Sequence, residues 1–451
     1  MRSRLSSHFD WKGYKRRQTK AQVEMRRSRA KQYHFPLQLL PAGLRVRLTE
    51  TLHAVRRPSI GHLASHMEKD DVRIEPWKYG AAAAVCVSSD FELAWASQYA
   101  GKERAIDEGW RTRAYFPDLI QAFEETNVPI TWAVVGHLFL NGCLRDSATG
   151  FAHSDLPRPQ PYSNRSWSFE AGDWYQNDPC TTVHDDPEWY APDLIDRICS
   201  SPTPHEIGSH SFSHTDFSYG NCPREVAEAE LRACRDLAAE HGLQLKSFVF
   251  PGNFEGNFEA LARLGFIAYR GSTNAHLAYP NKVGEVWNLP GSLQLFDSRV
   301  DYHRRLARYV RKAIETGTLI HLSFHPSESN PSAIQETLVP GLRYLRGLEE
   351  RGLLWIATME EIASYCEARG SITWKAFKDD ERVTRIDVDS DLDREKYPLG
   401  SITLSVPWAG SMPRSVANGT EHLDRRDCFI RAGRLFVTQD SLPSTLTIEL
   451  K

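Results

Sequence analysis

Ala81-Ala-Ala-Ala-Val-Cys-Val-Ser-Ser-Asp90-Phe-Glu92 is a run of small and β-branched residues that ends abruptly in two acids. A continuous apolar run of this length suits a strand buried on both faces, as in a parallel sheet. Ligands bind at the carboxyl ends of the strands in such sheets. Asp90 and Glu92 stand at that end, and the two-residue repeat of a strand puts both on one side. Taken alone, the acids read equally well as a solvated strand terminus.

Further along, Glu206-Ile-Gly-Ser-His210-Ser-Phe-Ser-His214-Thr-Asp216 carries two imidazoles four residues apart. If the backbone between them turns helically, both rings project from one side and can grip a single divalent cation. With 17 histidines in the chain, that spacing gains weight only from the two acids. One Asp, one Glu and two His together make a site for zinc or a similar cation. A third apolar strand, Gly317-Thr-Leu-Ile-His321-Leu-Ser-Phe-His325-Pro326, ends in a histidine before proline, which cannot donate to a continuing ladder. His325 is placed there to exchange a proton with a bound substrate. His321 lies deeper in the strand and reads as a core or lining residue.

Outward from these strands the chain alternates as a β/α array requires. Helices are expected over residues 113–127, 223–242, 255–264, 302–315, 333–351 and 359–368, with strands over 243–251, 266–270 and 353–357. Residues 141–186 break the alternation with an insertion rich in Pro, Ser, Asp and aromatics. Its Trp167, Trp174 and Tyr175, with Trp189 just beyond, either stack on sugar rings or cap the barrel end. Asp173 and Asp178 could accept hydroxyl hydrogen bonds. From residue 370 onward short alternating runs such as Ser401-Ile-Thr-Leu-Ser-Val406 predict a small antiparallel β domain.

At 451 residues the chain exceeds one ordinary domain, and its 41% apolar content supports a sizeable core. No stretch approaches the ~20 apolar residues of a membrane span. Eight cysteines without paired spacing, and an N-terminus lacking the apolar core of a secretory signal, predict free thiols and a cytoplasmic location. The net charge of −3 hides an asymmetry: residues 1–57 hold 15 Lys and Arg against 3 Asp and Glu. This basic arm admits peripheral contact with the inner face of an anionic membrane. A solvated tail, or a helix on the barrel's acidic side, is the simpler reading. No basic stripe with interleaved aromatics supports nucleic-acid binding.

The three stations, in this order, resemble the polysaccharide deacetylase superfamily, to which the chitooligosaccharide deacetylases belong. Ile130-Thr-Trp-Ala-Val-Val-Gly136 is similar to its second barrel strand, Phe248-Val-Phe-Pro-Gly-Asn-Phe254 to its third motif, and Val286-Trp-Asn-Leu-Pro290 to an aromatic-proline station. The resemblance spans roughly residues 78–368. It implies an α/β fold: an incomplete (β/α) barrel over 78–368, preceded by an arm with helical segments (1–77) and followed by the β domain (370–451).

The resemblance implies one divalent metal ion, zinc by its donor set, held by His210, His214 and Glu92. Asp90 is then the catalytic base and His325 the acid that protonates the leaving amine. The reverse assignment, with Asp90 on the metal, stays open. Trp132, Pro251, Asn253, Arg270 and Trp287 are the implied substrate-side residues. The family's third motif normally carries an arginine that orients the base; this chain has Gly252-Asn253 there, and Arg270 is the candidate replacement. The implied activity is hydrolysis of an N-acyl, N-acetyl by preference, group from a saccharide. A hydrolase of non-sugar carbon–nitrogen bonds and an inactive carbohydrate-binding protein are the competing readings.

Overall fold

A computed structural model of the chain describes residues 72–161, 173–271, 277–296, 302–378, 383–408, 411–419, 421–424 and 427–449. The first strand, β1 (Arg73–Ile74), is followed by β2 (Ala83–Phe91), whose nine residues are all buried. The sheet built on β2 continues with β3 (Thr131–Val134), β4 (Glu206–Ser209), β5 (Ser247–Val249), β6 (Ala268–Gly271), β7 (Asn281–Val283), β8 (Val286–Pro290), β9 (Leu293–Gln294), β10 (Leu319–Phe324) and β11 (Leu354–Ile356). Its order is β7-β8-β6-β5-β4-β3-β2-β10-β9, parallel except for β7. β11 pairs with Ala83–Val85 and β3 with Ser88–Phe91. The sheet curls into the expected incomplete barrel.

The strand repeat sorts the side chains into two layers. Ala84, Cys86, Ala133, Val249, Ala268, Leu289 and Leu319 belong to the inner cluster. Val85, Val87, Trp132, Val134, Phe248 and Leu322 face outward to the helices. Small residues on the inner face leave room for the helix Met359–Gly370, opened by a Thr358/Glu361 capping box. The Met359 and Glu360 amides donate to Thr131 Oγ1 (3.0 Å) and Glu206 Oε2 (3.1 Å), so this helix closes the amino end of the barrel.

The helices at 224–240, 302–316 and 359–370 start and stop within two residues of expectation. The helix expected from residue 113 instead runs Lys102–Thr126, with Pro117 inside it. Its first half buries Ala105, Gly109 and Thr112, too small to mark an apolar stripe. Gly109 is required there: a Cβ would lie 2.5 Å from Glu188 Cβ.

Two antiparallel sheets follow the barrel. One comprises β12 (Ile372–Lys378), β13 (Val383–Ser390), β19 (Ser444–Glu449), β15 (Ser415–Asn418) and β16 (Glu421–His422). The other comprises β14 (Ile402–Pro407), β18 (Arg434–Gln439) and β17 (Cys428–Arg431), with β1 added at its edge. Among the described residues no helix is long and apolar enough to cross a membrane. The basic arm and Trp167 lie outside the described residues.

Candidate active site

The carboxyl ends of β2, β4, β6 and β10 converge. His210 follows β4 directly; its Nε2 lies 2.8 Å from Glu92 Oε1 and its Nδ1 2.7 Å from the Val249 carbonyl. His214 Nε2 reaches the same Glu92 oxygen at 3.1 Å. The backbone between the histidines is not helical: Ser211 and His214 both have φ of +61°. The loop is held by side chains instead. Thr215 N–H donates to Ser211 Oγ, and the buried Glu230 accepts from Ser213 N–H (2.8 Å) and Ser213 Oγ (2.7 Å). Trp174 Nε1 donates to the Ser213 carbonyl, and Tyr175 OH to Glu230. Trp174, Tyr175 and Trp189 are all buried. Sugar stacking by these three is overturned, and they cap the barrel end.

The donor set fits a divalent cation. Glu92, His210 and His214 each offer a ligand atom within 4.8 Å of the others. The Nδ1–H of His210 is committed to Val249, which turns its Nε2 lone pair toward Glu92. Burial pushes the Glu92 carboxyl up, but the two histidines outweigh it and hold it well below the usual range.

Beside this cluster Arg270 grips Asp90 with both arms, Nη1–Oδ1 at 2.5 Å and Nη2–Oδ2 at 2.7 Å. Val249 and Arg270 are register partners, so the guanidinium enters from the strand next to the Gly252-Asn253 motif. Burial raises the Asp90 pKa, but Arg270, His210 and His325 pull it below the ordinary value. Arg270 Nη1 also donates to Ser88 Oγ (3.0 Å), which lies 2.9 Å from His321 Nε2. His321 Nδ1 meets the Leu289 carbonyl at 3.1 Å. Burial, aided by Arg270, lowers the His321 pKa to about 3, which makes it a neutral acceptor from Ser88.

His325 is the accessible member, its side chain 35% exposed. Its Nε2 lies 3.5 Å from Asp90 Oδ2 and 4.0 Å from Glu92 Oε1, and its Nδ1 3.6 Å from Glu328 Oε2. Burial pulls its pKa down, but Glu328, Glu92 and Asp90 push it up to about 10.

Two expected site residues lie elsewhere. Trp132 is fully buried against Phe91, Phe116 and Phe123. Asp90 registers with Ala133, so its neighbour Trp132 faces the helices and not the site. Trp287 registers with Ala268, toward the amino end of β6, and its indole donates to Glu367 at 2.7 Å. Pro251 and Asn253 form a short turn at the carboxyl end of β5, with Gly252 and Asn253 at positive φ. Asp178, expected to meet sugar hydroxyls, is 1% exposed and turned inward. Ser88, Glu230 and Glu328 were not singled out in the sequence. Ser88 alone carried a signal, being two residues before Asp90 on the inner face.

Residues 105–265 match the family model for polysaccharide deacetylases. Over that segment, which includes β3, β4 and the His210–His214 loop, the chain is similar to polysaccharide deacetylases. Among solved structures it is similar to one assigned as a polysaccharide deacetylase from Mycobacterium smegmatis, at 18% identity and TM-score 0.45, covering 67% of this chain and 96% of that one. A second, assigned as a polysaccharide deacetylase from Pseudomonas aeruginosa PAO1, shows 15% identity and TM-score 0.42 over 64% and 92%. The PuuE allantoinase shows 14% and 0.42 over the same shares. No curated protein sequence matches the chain.

Proposed function

We propose that the protein removes an N-acetyl group from a saccharide, with one zinc ion held by Glu92, His210 and His214. One observation carries this reading: the Glu92 oxygen shared by two imidazoles lies beside an Asp90–Arg270 pair, with an accessible His325 within 3.5 Å of Asp90. Asp90, whose oxygens both rest on Arg270, is the weaker candidate for the third ligand.

A divalent ion in such a site supplies positive charge for a developing oxyanion and lowers the pKa of water toward neutrality. Asp90 takes the proton of the attacking water, and Arg270 fixes the orientation of its carboxylate. His325 gives its proton to the departing nitrogen, so that the amide becomes a free amine and a carboxylic acid. Ser88 and neutral His321 hold Arg270 from behind without adding charge. A place in the cytoplasm is proposed on the free thiols.

The test is metal analysis of the purified chain, then a screen of N-acetylated nucleotide sugars and oligosaccharides for acetate release. One equivalent of metal lost in His210→Ala/His214→Ala, together with acetate release, is the expected result. Release of ammonia or ring-opening of a cyclic amide, without acetate from any sugar, would overturn the saccharide assignment.

A further inference from the structure

A second cluster of ligating side chains lies behind the His210–His214 loop. His137, in the turn Gly136–Phe139 after β3, converges with Cys143, His153 and Asp178 of the insertion. One ligand atom from each lies within 4.8 Å of the others. Asp178 Oδ2 stands 3.1 Å from His137 Nε2, 2.9 Å from His153 Nε2 and 3.5 Å from Cys143 Sγ. Tetrahedral zinc with bonds of about 2.0–2.3 Å needs donor–donor edges of roughly 3.3–3.8 Å, and these separations approach that range.

The surroundings turn the donors inward. His137 is fully buried, and its Nδ1 lies 3.2 Å from the Trp189 carbonyl. Its Nε2 therefore presents a lone pair, has no hydrogen-bond partner, and faces a carboxylate oxygen that is also a lone-pair donor. Asp178 Oδ1 accepts from the Cys180 amide at 2.9 Å, which leaves Oδ2 for the centre. The arrangement repeats that of the first site. There, too, one carboxylate oxygen lies between two Nε2 atoms, and one of those rings is tied by Nδ1 to a backbone carbonyl. The second cluster adds a sulfur, so that one thiolate and one carboxylate would neutralise a dication in a buried place.

We propose that His137, Cys143, His153 and Asp178 bind a second zinc ion that anchors the insertion to the barrel. Four donors close the coordination sphere, as in structural zinc sites, whereas three leave it open. The anchored segment carries Trp174 and Tyr175, whose bonds to Ser213 and Glu230 brace the histidine loop. The site does not depend on the assignment of the first one.

Two metal-free arrangements compete: an imidazolium network around Asp178, and a disulfide between Cys143 and its neighbour Cys180. Cobalt substitution of the full chain separates them. A thiolate-to-cobalt charge-transfer band in the near ultraviolet is expected from the second site, because the first has no sulfur. The band should vanish in Cys143→Ser and persist in Cys180→Ser. Zinc analysis of His210→Ala/His214→Ala should still give one equivalent, lost on adding Cys143→Ser or Asp178→Asn. A cobalt-loaded parent without the band, a band surviving Cys143→Ser, or a Cys143–Cys180 disulfide in the peptide map would overturn the proposal. Should the variants not fold, the parent spectrum alone decides.

Discussion

Arg270→Met isolates the guanidinium that the structure brings to Asp90. Methionine keeps much of the apolar stem but removes two charge-assisted hydrogen bonds, at 2.5 and 2.7 Å, and the 3.0 Å bond to Ser88. The side chains are only 3% and 8% exposed, so water does little to replace the lost partner. Breaking a buried pair in this way costs about 3–5 kcal/mol. The sign of the pH dependence follows from the Asp90 carboxyl. In the parent its pKa lies below the usual value, so its contribution is complete above about pH 3.9 and is lost only as pH falls through the lower folded value. In the variant burial is no longer offset by Arg270; the carboxyl rises, and protonation relieves the penalty on acidification. Urea unfolding of chelator-treated protein at pH 7 and pH 4.5 should show the full loss at pH 7 and a smaller one at pH 4.5. A loss under about 1 kcal/mol at pH 7, or one that grows toward acid, would refute the reasoning.

His325→Ala should keep its metal and melt near the parent temperature, yet hydrolyse N-acyl substrate about 10²–10⁴-fold more slowly; hydrolysis at the parent rate would remove it as the acid. Glu230→Ala releases both Ser213 contacts behind the histidine loop, and competitive chelator titration should show metal affinity weakened about 10–100-fold. His205 is kept neutral mainly by burial, its pKa lowered to about 4 while it accepts from the Ile130 amide. Because its folded pKa lies below the unfolded value, it contributes stability above about pH 6.5 that is lost as pH falls toward 4. His205→Gln retains an acceptor and should flatten that acid limb by roughly 1.4 kcal/mol per pH unit, measured by urea midpoints across the window.

The strand ending in Asp90 was legible because burial on both faces leaves an uninterrupted apolar run, and the acids mark where it stops. The same two-residue repeat, applied across the sheet, also shows what was misread at Trp132. Its side is set by the register of β3 against β2, a pairing between distant segments that a motif in one strand does not contain. The histidine pair was found, but its geometry was not: the loop turns through two left-handed residues held by Glu230, which lies 16 residues beyond His214. The insertion's aromatics stayed open between sugar stacking and capping because the partners of Trp174 and Tyr175, Ser213 and Glu230, belong to other elements. His137, Cys143 and His153 escaped notice, and Asp178 was read as a partner for sugar hydroxyls, because their intervals follow no metal-site spacing; a bridge between Gly142 and Thr182 brings the two arms of the insertion together.

The edge strand β1 gives the C-terminal sheets a second meaning. Arg73–Ile74 precedes the barrel yet pairs with β14, which follows it. Glu75 N–H reaches the Thr403 carbonyl, and Tyr365 OH donates to the Glu75 carbonyl while accepting from the Thr403 amide. Arg431 spans the carbonyls of Gly80 and Gly352, just before β2 and β11. The polypeptide is thus fastened like a clasp, with the entry and exit of the barrel held by one later segment. A fragment cut after Gly370 would keep every side chain of the first site but leave those carbonyls and amides without their partners. The unit held together by these bonds begins no later than Arg73 and runs through Glu449, since β19 pairs with both β13 and β15.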